Sequence, residues 1–131
     1  MNSLYFDGGA SPFGSACAIH ITSGNQSLIT KSYYLGMSPT SNEAEYCGLL
    51  FGMKKCIEFG ITDITVRGDS LLVINQMKGL WKVRAAHLKH LNYLCSTYQS
   101  LFNNITYEWI PREDNTVTDK LIKKLIVFPK I

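Results

Sequence analysis

The sequence predicts an α/β fold, a mixed five-stranded sheet flanked by helices in the order β-β-β-α-β-α-α-β-α. Three observations predict it. The first third of the chain is a series of short apolar runs bounded by glycine and turn residues, the mark of successive strands. The remainder alternates segments of helical spacing with two more short, β-branched runs. The length of 131 residues, with 46% hydrophobic and 18% charged, is that of one ordinary globular domain. Such a composition excludes disorder and collagen-like or low-complexity chains.

Leu4-Tyr5-Phe6 runs into Asp7-Gly8-Gly9 and reads as a buried first strand. Residues 15–21 carry Ala16, Cys17, Ala18, Ile19 and Ile21, and Ser23-Gly24-Asn25 is a turn. Residues 27–35, with Leu28, Ile29, Tyr33 and Tyr34, complete an antiparallel meander of three strands. A helix is expected over 42–59, opened by the capping cluster Pro39-Thr40-Ser41-Asn42 and closed by Gly60. Residues 63–69 alternate Ile64 and Val66 with Thr65 and Arg67, a fourth strand. A short helix over 70–78 ends at Gly79. A longer one over 85–102 has Leu88, Leu91, Leu94, Cys95, Tyr98 and Leu101 at helical spacing. Residues 105–110 are the fifth strand, stopped by Pro111. The last helix is expected over 115–127, ended by Pro129.

Several classes of function are set aside by composition. Cys17, Cys47, Cys56 and Cys95 form no Cys-x-x-Cys pair of a structural zinc site or redox dithiol. The first residues lack a signal-peptide pattern, and no apolar stretch approaches membrane-spanning length. An intracellular protein with reduced thiols is expected. The net charge of +3 is too mild to name a partner. His20 lies mid-strand and His87 and His90 stand at i, i+3 without a third ligand, so satisfied or solvated histidines are expected. Lys54-Lys55 and Lys123-Lys124 read as solvated helix faces.

The ten acids are few, and four stand at element ends. Asp7 closes the first strand and Asp69 the fourth. If those strands lie parallel and adjacent, both emerge at the carboxyl edge, where α/β sheets bind ligands. Glu45 falls in the first turn of the helix joining them, and Asp119 near the start of the last helix. Each has an ordinary alternative: Asp7 as a turn residue, Asp69 as an N-cap, and Asp119 as a partner of Lys123 at i+4. Glu45 is able to close a capping box with Asn42, although Thr40 with Glu43 offers the same box and would leave Glu45 free. Four converging carboxylates repel, and hard cations such as Mg²⁺ or Mn²⁺ suit them. Two such ions about 3.5–4 Å apart hydrolyse phosphodiesters without an amino-acid nucleophile.

Taken together, these segments resemble type 1 ribonuclease H over nearly the whole chain. Phe6-Asp7-Gly8-Gly9-Ala10 resembles the first-strand motif of that family, and Ser41-Asn42-Glu43-Ala44-Glu45-Tyr46 its first-helix motif. Gly68-Asp69-Ser70 is similar to its Asp-Ser motif, and Gln76-x-x-Gly79-x-Trp81-Lys82-Val83 to a segment of compact members. Ile110-Pro111-Arg112-Glu113-Asp114-Asn115, followed by Asp119-Lys120-Leu121, is similar to the final motif. The resemblance implies a ribonuclease H-like fold in a single domain over 1–131. It implies Asp7, Glu45, Asp69 and Asp119 as catalytic ligands of two Mg²⁺ ions, with Mn²⁺ as substitute. It also implies hydrolysis of the RNA strand of RNA–DNA hybrids to 5′-phosphate ends, by a monomer with no obligate protein partner and no membrane.

Reading RNA against DNA requires contact with the 2′-hydroxyl in a wide, shallow minor groove. Gly8 and Gly9 give the backbone room to approach that groove. Ser41 and Asn42 offer short hydrogen-bonding groups, and Trp81, Lys82 and Arg84 an aromatic with two cations for the DNA strand. Burial in the core is the alternative for Trp81. Arg112 and Asn115 complete the expected substrate contacts.

The chain departs from the family pattern at four points. The Ser11-Pro12-Phe13-Gly14 loop lacks the usual Asn-Pro-Gly. The 78–82 segment is too short for a basic protrusion. No histidine follows His90. Thr118 and Ile122-Lys123 replace the usual neighbours of the last Asp. Two rivals remain: a non-catalytic hybrid-binding domain of reverse-transcriptase origin, and a related nuclease acting on double-stranded RNA or DNA. With the four acids set at a metal site, six remain against 13 basic residues, the balance of a phosphate-binding surface. With twelve residues after Asp119, no separate hybrid-binding domain is expected within this sequence.

Overall fold

A computed structural model describes residues 1–127; the expected helix stop at Pro129 lies outside them. The chain folds as β1 (Asn2–Ser11), β2 (Gly14–Ser23), β3 (Gln26–Gly36), α1 (Ser41–Glu58), β4 (Asp63–Gly68), α2 (Leu71–Met77), α3 (Ala86–Gln99), β5 (Asn104–Trp109), a 3₁₀ turn (Arg112–Asp114) and α4 (Thr116–Ile126). The strands order as β3-β2-β1-β4-β5. β1, β2 and β3 form the antiparallel meander. β4 runs parallel to β1, and β5 parallel to β4. This is the mixed five-stranded sheet that the sequence predicts.

Alternation along β1 decides the two faces. Leu4 and Phe6 join Ile19, Val66, Tyr46, Leu49 and Met53 in the main core, which also takes in Leu88 and Cys95 of α3. On the other face Ala16 and Ala18 of β2 pack against Ile122 and Ile126 of α4. α1 lies close on β1 because glycines face each other across the contact. A Cβ on Gly48 would stand 2.7 Å from the Asp7 carbonyl oxygen, and one on Gly8 would collide with the backbone of Ala44 and Glu45.

Capping chemistry sets the helix ends. α1 starts with a capping box in which Thr40 accepts from the Glu43 N–H and Glu43 accepts from the Thr40 N–H. Glu45 is thereby free, and sits one residue past the first turn rather than in it. Ser70, not Asp69, caps α2 through the Val73 N–H, so Asp69 is free as well. α3 stops at Gln99, short of the expected 102. The chain turns there, leaving Leu101 exposed while Phe102 still reaches the core. The 3₁₀ turn before α4 delays that helix by one residue, so Asn115 is its N-cap rather than its first helical residue.

Candidate active site

The parallel pairing of β1 with β4 brings Asp7 and Asp69 to the same sheet edge, and the close seat of α1 brings Glu45 to both. Each of the three offers a carboxylate oxygen, and these oxygens lie within 4.8 Å of one another. Asp7 and Glu45 are buried, and Asp69 is half-buried. Asp7 Oδ1 accepts the Gly8 N–H at 2.9 Å. Glu45 Oε1 is buried with no hydrogen-bond partner.

The electrostatics follow from this crowding. Burial, then the charge of Asp69, pushes the Asp7 carboxyl from its ordinary 3.8 up to about 7. Burial and the charge of Asp7 push Glu45 well above its usual range. Asp69 is also raised by burial, with the guanidinium of Arg112 pulling the other way. Three carboxyls held against ionisation, one with an orphaned oxygen, are a donor set short of positive charge. An all-oxygen set of this kind fits a hard divalent cation such as Mg²⁺ or Mn²⁺.

Asp119 stands apart from the three-oxygen cluster. It lies in the first turn of α4, and its charge still raises both Asp7 and Asp69. Its Oδ2 pairs with Lys123 Nζ at 3.0 Å, and its Oδ1 lies 3.8 Å from Arg112 Nε. Lys123 is therefore a partner of the fourth acid, not a merely solvated cation. Lys54 is exposed, and Lys55 pairs with Glu58 at 3.0 Å.

The expected substrate contacts divide into three groups. Ser41 and Asn42 are exposed at the start of α1. Trp81, 45% exposed, stands with exposed Lys82 and Arg84 on the segment between α2 and α3, so Trp81 is a surface residue and not a core one. Arg112 is exposed beside Asp119. The glycines have another reason than groove access: the Cβ position of Gly8 is filled by α1, and that of Gly9 faces Ile122 and Ile126 of α4. Asn115 is a correction. It is 2% exposed, and both ends of its amide are engaged within the protein, by Phe6 and Thr118.

His20 stacks on Tyr5 and hydrogen-bonds Ser27, while His87 and His90 are exposed. The sequence reading missed two supports. Tyr46, beside Glu45, donates its hydroxyl to Gln76 at 2.5 Å and accepts from Asn92 at 3.2 Å, tying α1 to α2 and α3. Trp109 donates its indole N–H to the Asp69 carbonyl at 3.2 Å. An aromatic ending the strand parallel to that of Asp69 was the available signal.

The reverse transcriptase-like family model matches residues 6–125. A bifunctional protein of Mycobacterium tuberculosis is 36% identical over 104 residues, 79% of this chain. The chain spans only 29% of the length of that relative. RNase H1 from the halophilic archaeon Halobacterium salinarum superposes with a TM-score of 0.91 at 26% identity, covering 98% of both chains. LC11-RNase H1, solved in complex with an RNA/DNA hybrid, superposes at 0.89 with 29% identity and 98% coverage of each.

Proposed function

Since the chain belongs to the reverse transcriptase-like family, among the type 1 ribonucleases H, we propose that it is an endoribonuclease cutting the RNA strand of RNA–DNA hybrids to leave 5′-phosphate ends. The observation that carries this reading is the close cluster of buried Asp7 and Glu45 with half-buried Asp69, each raised by burial, and the unpartnered Glu45 Oε1. Those three residues would hold divalent cations, Mg²⁺ or Mn²⁺, and Asp119 would complete a two-ion site from α4. The chemistry such a pair supplies is activation of a water and neutralisation of the leaving oxygen.

The remaining roles fall to the chain itself. Ser41 and Asn42 face the minor groove from the start of α1. Trp81, Lys82 and Arg84 grip the DNA strand, and Arg112 meets phosphate next to the carboxylates. Gly8 and Gly9 contribute backbone only. The catalytic unit is one domain over 1–131 and acts as a monomer. The four free cysteines support work in a reducing compartment, and no helix among the described residues is long and apolar enough to cross a membrane.

Asp7→Asn, Glu45→Gln and Asp69→Asn are each expected to abolish hybrid cutting while leaving the fold intact, since each removes a like charge from a repelling cluster. Cleavage assays paired with circular dichroism check this. A folded Asp69→Asn protein cutting at the wild-type rate would contradict the assignment. Running double-stranded RNA and duplex DNA beside the hybrid separates the proposed activity from that of a related nuclease.

A further inference from the structure

Asn115 is the N-cap of α4, yet its side chain makes no cap hydrogen bond to that helix. Asparagine is among the preferred N-cap residues because its side chain can satisfy a free helix N–H, so the diversion of this side chain calls for a reason. Asn115 Nδ2 donates to the Phe6 carbonyl at 2.9 Å. That carbonyl belongs to the peptide unit joining Phe6 to Asp7. It lies just past Tyr5, the last β1 residue paired with β4. The main-chain oxygen of the same Asn115 accepts the N–H of Asp119 at 3.2 Å. One residue thus holds the peptide before Asp7 through its side chain and the peptide of Asp119 through its backbone.

Thr118 fixes this arrangement. Its hydroxyl lies 2.7 Å from Asn115 Oδ1 and 3.0 Å from the Asn115 carbonyl oxygen. A carbonyl only accepts, so the amide must turn Nδ2 toward Phe6, and the threonine hydroxyl occupies its other end. Both residues are buried, Thr118 fully.

We infer that Asn115 is a positioning residue that sets the fourth carboxylate, Asp119, against Asp7, with Thr118 holding its amide in register. The inference rests on the metal-site reading above. It accounts for how Asp119, outside the three-oxygen cluster and paired with Lys123, is kept in reach of that cluster. Without the tie, α4 remains anchored by Ile122 and Ile126 at the other face, and the junction carrying Asp119 is free to shift against β1.

The test compares Asn115→Ala and Thr118→Val with Ile126→Ala, which loosens the same helix by packing alone. Mn²⁺ binding is read by calorimetry on the full chain, and kcat and KM on an RNA–DNA hybrid. For Asn115→Ala the expected result is Mn²⁺ affinity lower by about tenfold and kcat lower by about ten- to a hundredfold, with KM for the hybrid unchanged. Thr118→Val shifts the same quantities less, and Ile126→Ala lowers Tm without moving either. A folded Asn115→Ala protein with wild-type Mn²⁺ affinity and kcat would overturn the inference, as would an equal loss in Ile126→Ala. If Asn115→Ala does not fold, Thr118→Val decides by the same readouts. Wild-type protein that binds Mn²⁺ without cutting hybrid defeats the functional reading alone, and the Mn²⁺ comparison still tests the tie.

Discussion

Glu45 Oε1 has no partner inside a buried pocket, and burial raises the neighbouring carboxyls of Asp7 and Asp69 above their ordinary range. This local imbalance makes a prediction about pH. The folded-state pKa of Asp7 is raised from 3.8 to about 7. The cost of ionising it in the fold is absent below about pH 4, grows from there to about pH 7, and is complete above. In chelator, stability should therefore fall as pH rises through that window. At pH 8 Asp7→Asn should stabilise the metal-free protein by up to about 4 kcal/mol, a gain that vanishes at pH 4. Urea unfolding at the two pH values measures it, and a gain equal at both would contradict the burial argument. The importance of Asp7, Glu45 and Asp69 was legible in the sequence because each stands at an element end. The role of Asn115 was not: its partner Phe6 is 109 residues away, and an asparagine opening a helix reads as a cap or a surface contact.

At the level of elements, the site depends on how closely α1 lies on β1. Gly8→Ala places a methyl against the α1 backbone and is expected to cost about 2–3 kcal/mol. Gly9→Ala meets Ile122 Cγ2 at 3.6 Å, an ordinary contact, and should stay within about 0.5 kcal/mol. Chemical denaturation of the two variants separates helix packing from groove access as the reason for the pair. Element order was readable throughout, since glycine, proline and capping residues punctuate each strand and helix. Element ends were less so. The pattern of α3 continues through Leu101 although the chain has already turned, because Phe102 reaches the core from the loop. The 3₁₀ turn at Arg112–Asp114 carries no apolar period to announce it.

Over the whole molecule, acidic and basic groups are segregated by function. Three of the acids, Asp7, Glu45 and Asp69, gather at the sheet edge, while Lys82, Arg84 and Arg112 stand exposed. Phosphate contacts of this kind release counterions, so hybrid binding should weaken steeply with salt. Removing Lys82 and Arg84 together is expected to flatten the log KM against log salt slope by about 1–2. Trp81→Ala should weaken binding while leaving that slope unchanged, since stacking carries no charge. The mild net charge of +3 concealed this division, which emerges only when the clustered acids are counted apart.

The carboxylate cluster at the end of β1 and β4 predicts a divalent-metal-dependent cut of RNA within a hybrid. Incubating the wild-type chain with a hybrid labelled on both strands, in Mg²⁺, in Mn²⁺ and in chelator, tests it most directly. The RNA strand should be cut to 5′-phosphate fragments with either metal, the DNA strand should remain whole, and chelator should stop the reaction. A hybrid left intact with both metals, or RNA cut equally well in chelator, would contradict it.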